Sequence, residues 1–317
     1  MSGLVVGLDL GGTNMQVGVV DERGGVVVHL KRKTRAERGP DAVFDRVIET
    51  VERACAEVGV APSDLAGVGL AVAAAVDAER GVALDAPNIG WRDFPLARCA
   101  GERLGCPVTV ENDVNAAVLG EHAVGAIRGE PEALGVWIGT GIGGAIILGG
   151  RLHRGGLGTA GEIGHVTLLP SAPTGLKHFE QTCSRSAIAD RLTRLARTRE
   201  TLLRDDLESG PIRSGAIGRA YAAGDPLTRE IVDEAAGLIG VALGSAVTLL
   251  GMPVVLLGGG LVEALGEPFV GRVAEAGRAT VFPESVGPVR FTMTALREKA
   301  GVLGAAARAR EALSAGR

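Results

Sequence analysis

The chain has 317 residues, enough for one large domain or two of medium size. Hydrophobic residues make up 46% and aromatics only 3%, so cores must be built from Ala, Val and Leu; the 49 glycines, about twice ordinary usage, fall at turns without a period, which excludes collagen-like and disordered chains. A net charge of −4 with mixed signs and no basic stripe argues against nucleic acid as a partner.

Leu4 to Leu10 reads as a buried strand carrying Asp9 near its end, and Gly11-Gly12-Thr13-Asn14 as a tight turn. Met15 to Val20 is the returning strand, and Gly24-Gly25 turns into a third strand over Val26 to Lys31, so two hairpins follow each other. Asp41 to Val58 has helical spacing, with Val43, Phe44, Val47, Ile48 and Val51 on one stripe. Gly67 to Val72 is a further apolar strand. This β-β-β-α-β order is not the alternating βαβ of a dinucleotide-binding domain. Pro107 to Val110 is a buried strand, and a helix then runs to about Val124. Leu134 to Ile138, Gly139-Thr-Gly-Ile-Gly-Gly144 and Ala145 to Leu148 repeat the opening strand–turn–strand pattern, which suggests two halves of similar build. Arg185 to Asp205 reads as one solvated helix. Pro226 to Leu250 reads as a long helix with Pro in its first turn. Pro253 to Leu257 is a strand, Gly258-Gly259-Gly260 a turn, Leu261 to Ala279 a helix, and Glu298 to Leu313 an Ala-rich terminal helix.

Two features bear on location. Ala235 to Val262 contains no charged residue and exceeds the roughly 20 apolar residues that span a bilayer. Gly251 and Pro253 split it, however, and no aromatic belt flanks it, so a buried helix followed by a buried strand is expected and no membrane partner. Cys55, Cys99, Cys106 and Cys183 form no CxxC, and nothing at the start resembles a secretory signal. Free thiols in a reducing, cytoplasmic compartment are expected.

The polar residues gather at strand ends and glycine turns. Glu111-Asn112-Asp113 stands where a strand gives way to a helix, the usual ligand position in open α/β sheets. Asp113 there can serve as a general base, or Asn112 or Asp113 can simply cap the helix. The turns at Gly11-Gly12-Thr13, Thr140-Gly141 and Gly258-Gly259-Gly260 each follow an apolar strand and offer backbone N–H groups to phosphate. Asp9 can hold Mg²⁺ directly or through water. No Walker A sequence occurs, and no Gly-x-Gly-x-x-Gly is followed by an acid at the distance a dinucleotide site requires. Glu162 and His165, in the glycine-rich run from Gly155, together with Glu180 and Asn88, supply the acceptors and donors that suit a polyhydroxylated substrate. The plainer alternatives are a loop histidine at 165 and a turn residue at 88.

Together, Asp9-Leu-Gly-Gly-Thr-Asn14, Ala86-Pro-Asn-Ile-Gly-Trp91, Glu111-Asn-Asp113, Gly139-Thr-Gly-Ile-Gly-Gly144, Gly161-Glu-Ile-Gly-His165 and Gly258-Gly-Gly260 resemble the ROK family of sugar kinases and repressors. The resemblance covers nearly the whole chain. It implies an α/β, two-domain actin/hexokinase-like (ribonuclease H-like) fold with a cleft between the lobes. Residues 1–112 would form a small N-terminal lobe and 113–299 a large C-terminal lobe, with a final helix over about 300–317 packing back on the first. It implies Asp113 as the catalytic base, and Asn88, Asn112, Glu162, His165 and Glu180 as sugar contacts. It places Asp9, Gly11, Gly12, Thr13, Thr140, Gly141, Gly258 and Gly259 around ATP and its Mg²⁺. The expected activity is phosphorylation of a hexose at its 6-hydroxyl, glucose foremost, by a homodimer. N-acetylhexosamine, mannose or fructose are the alternative acceptors, polyphosphate the alternative donor, and a non-catalytic sugar sensor the alternative class.

Three departures from the family pattern stand out. Aligned on Glu180, Ser171, Pro173 and His178 occupy the positions of the family's zinc-binding cysteines. Ser and Pro cannot replace thiolates, so no structural zinc is expected and packing and hydrogen bonds must hold Leu168 to Phe179. Ala73-Ala74 stand where the family has Pro-Gly, which bears on the sugar pocket. The first strand begins at Leu4 without a preceding DNA-binding module, which disfavours the repressor branch.

Overall fold

The computed structural model describes residues 3–283 and 289–315. The chain divides by its contacts into two compact units. The first takes in everything through Gly129, then Arg154–Thr159, then the chain from Glu298 onward; the second is Glu130–His153 with Ala160–Arg297.

The first unit opens with β1 (Val5–Leu10), β2 (Asn14–Val20) and β3 (Val26–Lys33), followed by helix α1 (Pro40–Glu57) and strand β4 (Gly67–Val72). A small antiparallel sheet of β5 (Ala75–Asp77), β6 (Val82–Ala86) and β7 (Trp91–Phe94) leads into α2 (Leu96–Leu104), β8 (Val108–Asn112) and α3 (Asp113–Val124). The second unit contains β9 (Ala133–Ile138), β10 (Ile142–Leu148), β11 (Arg151–His153), α4 (Phe179–Cys183), α5 (Arg185–Leu195), α6 (Arg204–Glu208), α7 (Ser214–Ala222), α8 (Pro226–Leu250), β12 (Val254–Gly258), α9 (Gly260–Leu265), α10 (Glu267–Arg278) and β13 (Arg290–Met293). Helix α11 (Ala300–Ala315) belongs to the first unit. The last two residues of the helix expected over 300–317 lie outside the described residues.

The two main sheets share one plan. In the first the order is β3-β2-β1-β4-β8, with β1–β2–β3 antiparallel and β1–β4–β8 parallel. In the second the order is β11-β10-β9-β12-β13, with the same change of sense at β9. The period-2 alternation of a strand gives each sheet two faces. On the first sheet Val6, Leu8, Leu10, Val68, Leu70 and Val110 form an apolar core with Val43, Val47 and Val51 of α1 and Leu96 and Ala100 of α2. The opposite face is nearly bare and lies under α11. A Cβ on Gly69 would stand 1.8 Å from the Ala305 carbonyl oxygen, so any side chain there would expel the helix. This is how a chain poor in aromatics reaches dense packing: small residues bring backbones together instead of large ones filling gaps.

Helix α8 shows the local rules at work. Asp225 caps it by accepting from Thr228 N–H at 2.9 Å, Pro226 occupies the first turn, and Gly251 ends it in the left-handed region with φ 71°. It is long and apolar enough to cross a membrane by length and composition, yet Ile231, Ala235, Ile239 and Leu243 are buried in the second unit's core.

Three expectations are corrected. The helix expected over 185–205 stops at Leu195, because Thr201 Oγ1 and Leu202 N–H are drawn to the buried Asp225 carboxylate. The helix expected over 261–279 breaks at Gly266, which adopts φ 67° and is followed by Pro268. The division of the chain falls after Gly129 and not at 112/113, because α3 packs against α11 and so stays with the first unit.

Candidate active site

Strands β1, β4 and β8 run parallel, with Asp9 in register with Ala71 and Ala71 with Glu111. Asp9 therefore stands two strand spacings from β8, about 10 Å. Asp113 follows two residues beyond Glu111 as the first residue of α3. Asn112 is the cap: its Oδ1 accepts from Val114 N–H at 2.9 Å and Asn115 N–H at 3.0 Å, and its Nδ2 donates to the Ala74 carbonyl at 3.1 Å. Asp113 Oδ1 also accepts from Val114 N–H, at 2.9 Å. Both polar ends of Asn112 are thus engaged by backbone, including that of Ala74 in the Ala73-Ala74 pair.

Beneath the junction, Glu111 is 2% exposed. Its Oε1 accepts from Asn112 N–H at 3.1 Å and from Asn115 Nδ2 at 3.0 Å; its Oε2 accepts from Arg154 Nε at 3.1 Å and closely from Arg154 Nη2. Arg154 thereby ties Arg154–Thr159 to the first unit, although the chain before and after belongs to the second. Sequence reasoning passed over Glu111 and Arg154 as a pair because 43 residues separate them.

Burial, and second the Asp113 carboxylate, push the Asp9 carboxyl up to about 7. No cationic side chain pairs with Asp9 among the described residues. Gly301 of α11 faces it so closely that a Cβ there would stand 2.6 Å from Asp9 Oδ2. A carboxylate confined beside another carboxylate fits a cation, and Mg²⁺ characteristically takes one or two carboxylates and keeps its remaining waters. Among the described residues no group of three or more His, Cys, Asp or Glu side chains is arranged to hold a metal ion. In the adjoining turn, Gly11 N–H donates to the Asn14 carbonyl at 3.0 Å and Thr34 Oγ1 to the Gly11 carbonyl at 2.6 Å, while Thr13 is exposed. Asn88, exposed in the β6–β7 turn, lies against Gly12.

The remaining candidates lie in the second unit. Glu180 of α4 accepts from Ile142 N–H at 2.8 Å, which seats its carboxylate on Gly141. Thr140 is exposed at the tip of the same turn. Gly258 and Gly259 end β12 beside β9; Gly259 has φ 93°, and a Cβ on it would stand 2.6 Å from the Ile138 carbonyl oxygen, so only glycine fits. Glu162 and His165 flank a short 3₁₀ turn, with His165 Nε2 3.9 Å from Glu162 Oε2; their side chains are 51% and 73% exposed. The segment after them is held by hydrogen bonds. Leu168 N–H donates to the Lys177 carbonyl at 2.8 Å, and His178 Nδ1 lies 2.9 Å from the His165 carbonyl oxygen. Gln181 Oε1 accepts from Lys177 and His178 N–H, each at 3.1 Å.

With this geometry established, comparison with known proteins places the chain. A sequence model described as the ROK family matches residues 5–312. A glucokinase of Streptomyces coelicolor is 33% identical over 98% of each chain. The chain belongs to the ROK family. Among solved ROK structures, a glucokinase from Streptomyces griseus in complex with glucose and AMPPNP is 33% identical, covers 98% of this chain and 100% of its own, and superposes with a TM-score of 0.83. A ROK family transcriptional regulator described as a homologue of the E. coli MLC protein gives a TM-score of 0.86 at 21% identity, over 99% of this chain and 79% of its own length; that likeness concerns the fold alone. The fold is the α/β actin/hexokinase-like architecture of ROK proteins, as the sequence motifs implied.

Proposed function

We propose that the protein is a sugar kinase that transfers the γ-phosphoryl group of ATP to the 6-hydroxyl of a hexose, with glucose the leading acceptor. The observation that carries the reading is the β8–α3 junction: a capped, braced helix start that presents the Asp113 carboxylate beyond the ends of parallel strands, near the confined carboxylate of Asp9. The complex of the Streptomyces griseus relative with glucose and AMPPNP supports it. A sugar hydroxyl is a poor nucleophile until a carboxylate accepts its proton. Asp113 accepts the 6-hydroxyl proton as the oxygen attacks the γ-phosphorus and the bond to the β-phosphate oxygen breaks. Phosphoryl transfer otherwise needs alignment and charge neutralisation. The turns at Gly11-Gly12-Thr13, Thr140-Gly141 and Gly258-Gly259 supply N–H donors for the phosphates. Asp9 would hold Mg²⁺, which when bound with ATP offsets the charge of the phosphate chain. Asn88, Asn112, Glu162, His165 and Glu180 take the sugar hydroxyls; Asn112, already committed as the cap, does so only with donors and lone pairs its backbone partners leave over.

The test is an assay of purified protein with ATP, Mg²⁺ and a panel of glucose, mannose, fructose and N-acetylhexosamines, with polyphosphate as competing donor. Glucose should give the highest kcat/KM. Asp113→Asn should lower kcat by roughly 10²–10⁴-fold, with hexose affinity changed little. Turnover of no hexose, or an Asp113→Asn variant as active as the parent, would overturn the reading. The substitution of thiolate positions by Ser171, Pro173 and His178 favours one second reading, a sugar-binding protein without kinase activity. Calorimetry that shows hexose binding with no nucleotide binding would select it.

A further inference from the structure

One guanidinium bears on both the base and the turn that carries Glu162 and His165. Arg154 follows β11 directly and donates twice to one oxygen of Glu111, through Nε at 3.1 Å and through Nη2. No other cation among the described residues hydrogen-bonds that carboxylate. Arg308 Nε stands 3.9 Å from the same oxygen and has no hydrogen-bond partner. An ionised carboxylate that is 2% exposed is costly without a bonded cation. A protonated one would offer a donor where its neighbours need an acceptor. Those neighbours are Asn112 N–H at 3.1 Å and Asn115 Nδ2 at 3.0 Å, both on Glu111 Oε1. Asn112 immediately precedes Asp113, and Asn115 lies in the same first turn of α3. The order of contacts therefore runs from Arg154 to Glu111 to the two residues that bracket Asp113.

Arg154 also opens a run of seven residues, 155–161, four of them glycine, that ends at Glu162. Gly155, Gly158 and Gly161 adopt φ of 66°, 75° and 99°, where a side chain would be strained. A Cβ on Gly156 or Gly158 would meet nothing within 4 Å, and Leu157 is 90% exposed. Little packs on the middle of this run, so its ends set its course. At the far end Gly161 lies against the backbone of Gly144, its would-be Cβ 2.6 Å from the Gly144 carbonyl oxygen. At the near end the fixed point is the ion pair of Arg154 with Glu111.

We propose that Arg154 is a positioning residue with two outputs. Through Glu111 it holds the start of α3 so that Asp113 meets the acceptor hydroxyl. Through the main chain it anchors the glycine run, so that Glu162 and His165 are placed before the sugar arrives. The first output rests on the kinase reading; the second needs only that the protein binds a hexose.

Steady-state kinetics with ATP and glucose, mannose, fructose and N-acetylglucosamine, calorimetry with the same sugars, and thermal midpoints test it on the full chain. The variants are Arg154→Met, Arg154→Lys, Glu111→Gln and the double variant Arg154→Met/Glu111→Gln. Arg154→Met should lower kcat by roughly 10²-fold, the loss expected when a base is displaced by about 1 Å. It should raise the hexose KM by roughly 3- to 10-fold, because groups are then ordered on binding and not before it. The KM for ATP should stay constant. Arg154→Lys keeps the charge without the fork and should recover part of both effects. The double variant leaves no buried charge orphaned and should fold even where Arg154→Met does not. Because Arg154 acts on Asp113 through Glu111, the double variant should lose no more kcat than the worse single variant, while its hexose KM exceeds that of Glu111→Gln.

A fall in kcat that only tracks the folded fraction, with the hexose KM unmoved, would overturn the proposal. So would single-variant losses in kcat that multiply in the double variant. If the parent phosphorylates hexose and Arg154→Met matches it, the kinase reading stands and this proposal falls. If the parent binds hexose but phosphorylates none, the kinase reading falls; weaker hexose binding by Arg154→Met then upholds the anchor, and equal binding removes it. A parent that binds no hexose overturns both.

Discussion

The β8–α3 junction and the turn carrying Glu162 and His165 are built in opposite ways. At the junction Glu111 is 2% exposed and every oxygen of its carboxylate is bonded, Asn112 is committed at both ends, and Arg154 reaches in from a distant part of the chain. In the other region both carboxylate and imidazole stand in water, 51% and 73% exposed, with only a 3.9 Å approach between them. The difference matches what each is asked to do in the proposed reaction. A base must meet the attacking hydroxyl at one distance and angle, and orientation fixed in advance removes that entropy from the barrier. Groups that hold sugar hydroxyls exchange water for ligand and lose little by waiting solvated.

Four substitutions break or sharpen this contrast. Glu111→Ala leaves Arg154 without its counter-charge and Arg308 with Glu311 alone, 3.8 Å from its Nη1; Arg308 Nε, 3.9 Å from the lost Glu111 oxygen, already has no hydrogen-bond partner. Loss of one member of such a buried pair should lower stability by about 3–5 kcal/mol, read as a shift in the urea midpoint. A loss no larger than that of an exposed charge would show that the junction is not braced as described.

Asp9 yields the next effect, through pH. Its carboxyl is raised to about 7 in the folded protein against 3.8 ordinarily, so the unfolded chain releases this proton first. Its contribution to stability therefore falls as pH rises from about 4 to about 7 and stays lost above. Asp9→Asn should unfold at the same temperature as the parent near pH 4 and at a higher one above pH 7, where the stability gap is on the order of 4 kcal/mol, while catalysis is lost. A gap that does not grow with pH would contradict the confinement of Asp9.

Glu162→Gln and His165→Asn should give the smallest stability change, within about 0.5 kcal/mol, because both side chains are exposed. The hexose KM should nonetheless rise by about tenfold or more, one hydrogen bond to a charged group. A thermal midpoint that drops along with sugar affinity would make these residues structural.

Much of the candidate site was legible in the sequence. Asp113 and its capping neighbour announce a strand end turning into a helix, and the glycine turns after Leu10, Ile138 and Leu257 each follow an apolar strand. Gly266 and Pro268 also signalled the break between α9 and α10, though the apolar run around them masked it. Helix α2 and the strands β5 to β7 leave no clear sequence signal: the strands pair with their neighbours along the chain but are only 3, 5 and 4 residues long, too short to display a period.

The sequence by itself determined what neighbours along the chain decide: the capped and proline-started α8, the hairpins of β1 to β3, and the residue types at the turns. Tertiary structure alone decided which distant groups meet. Nothing local tells that Gly69 is bare to admit α11, that Thr201 leaves a helix to satisfy Asp225, that Arg154 finds Glu111, or that Arg185 lies on Thr140. Backbone preference acts over a few residues, whereas burial of a charge or the close approach of two backbones depends on which surfaces the topology brings together.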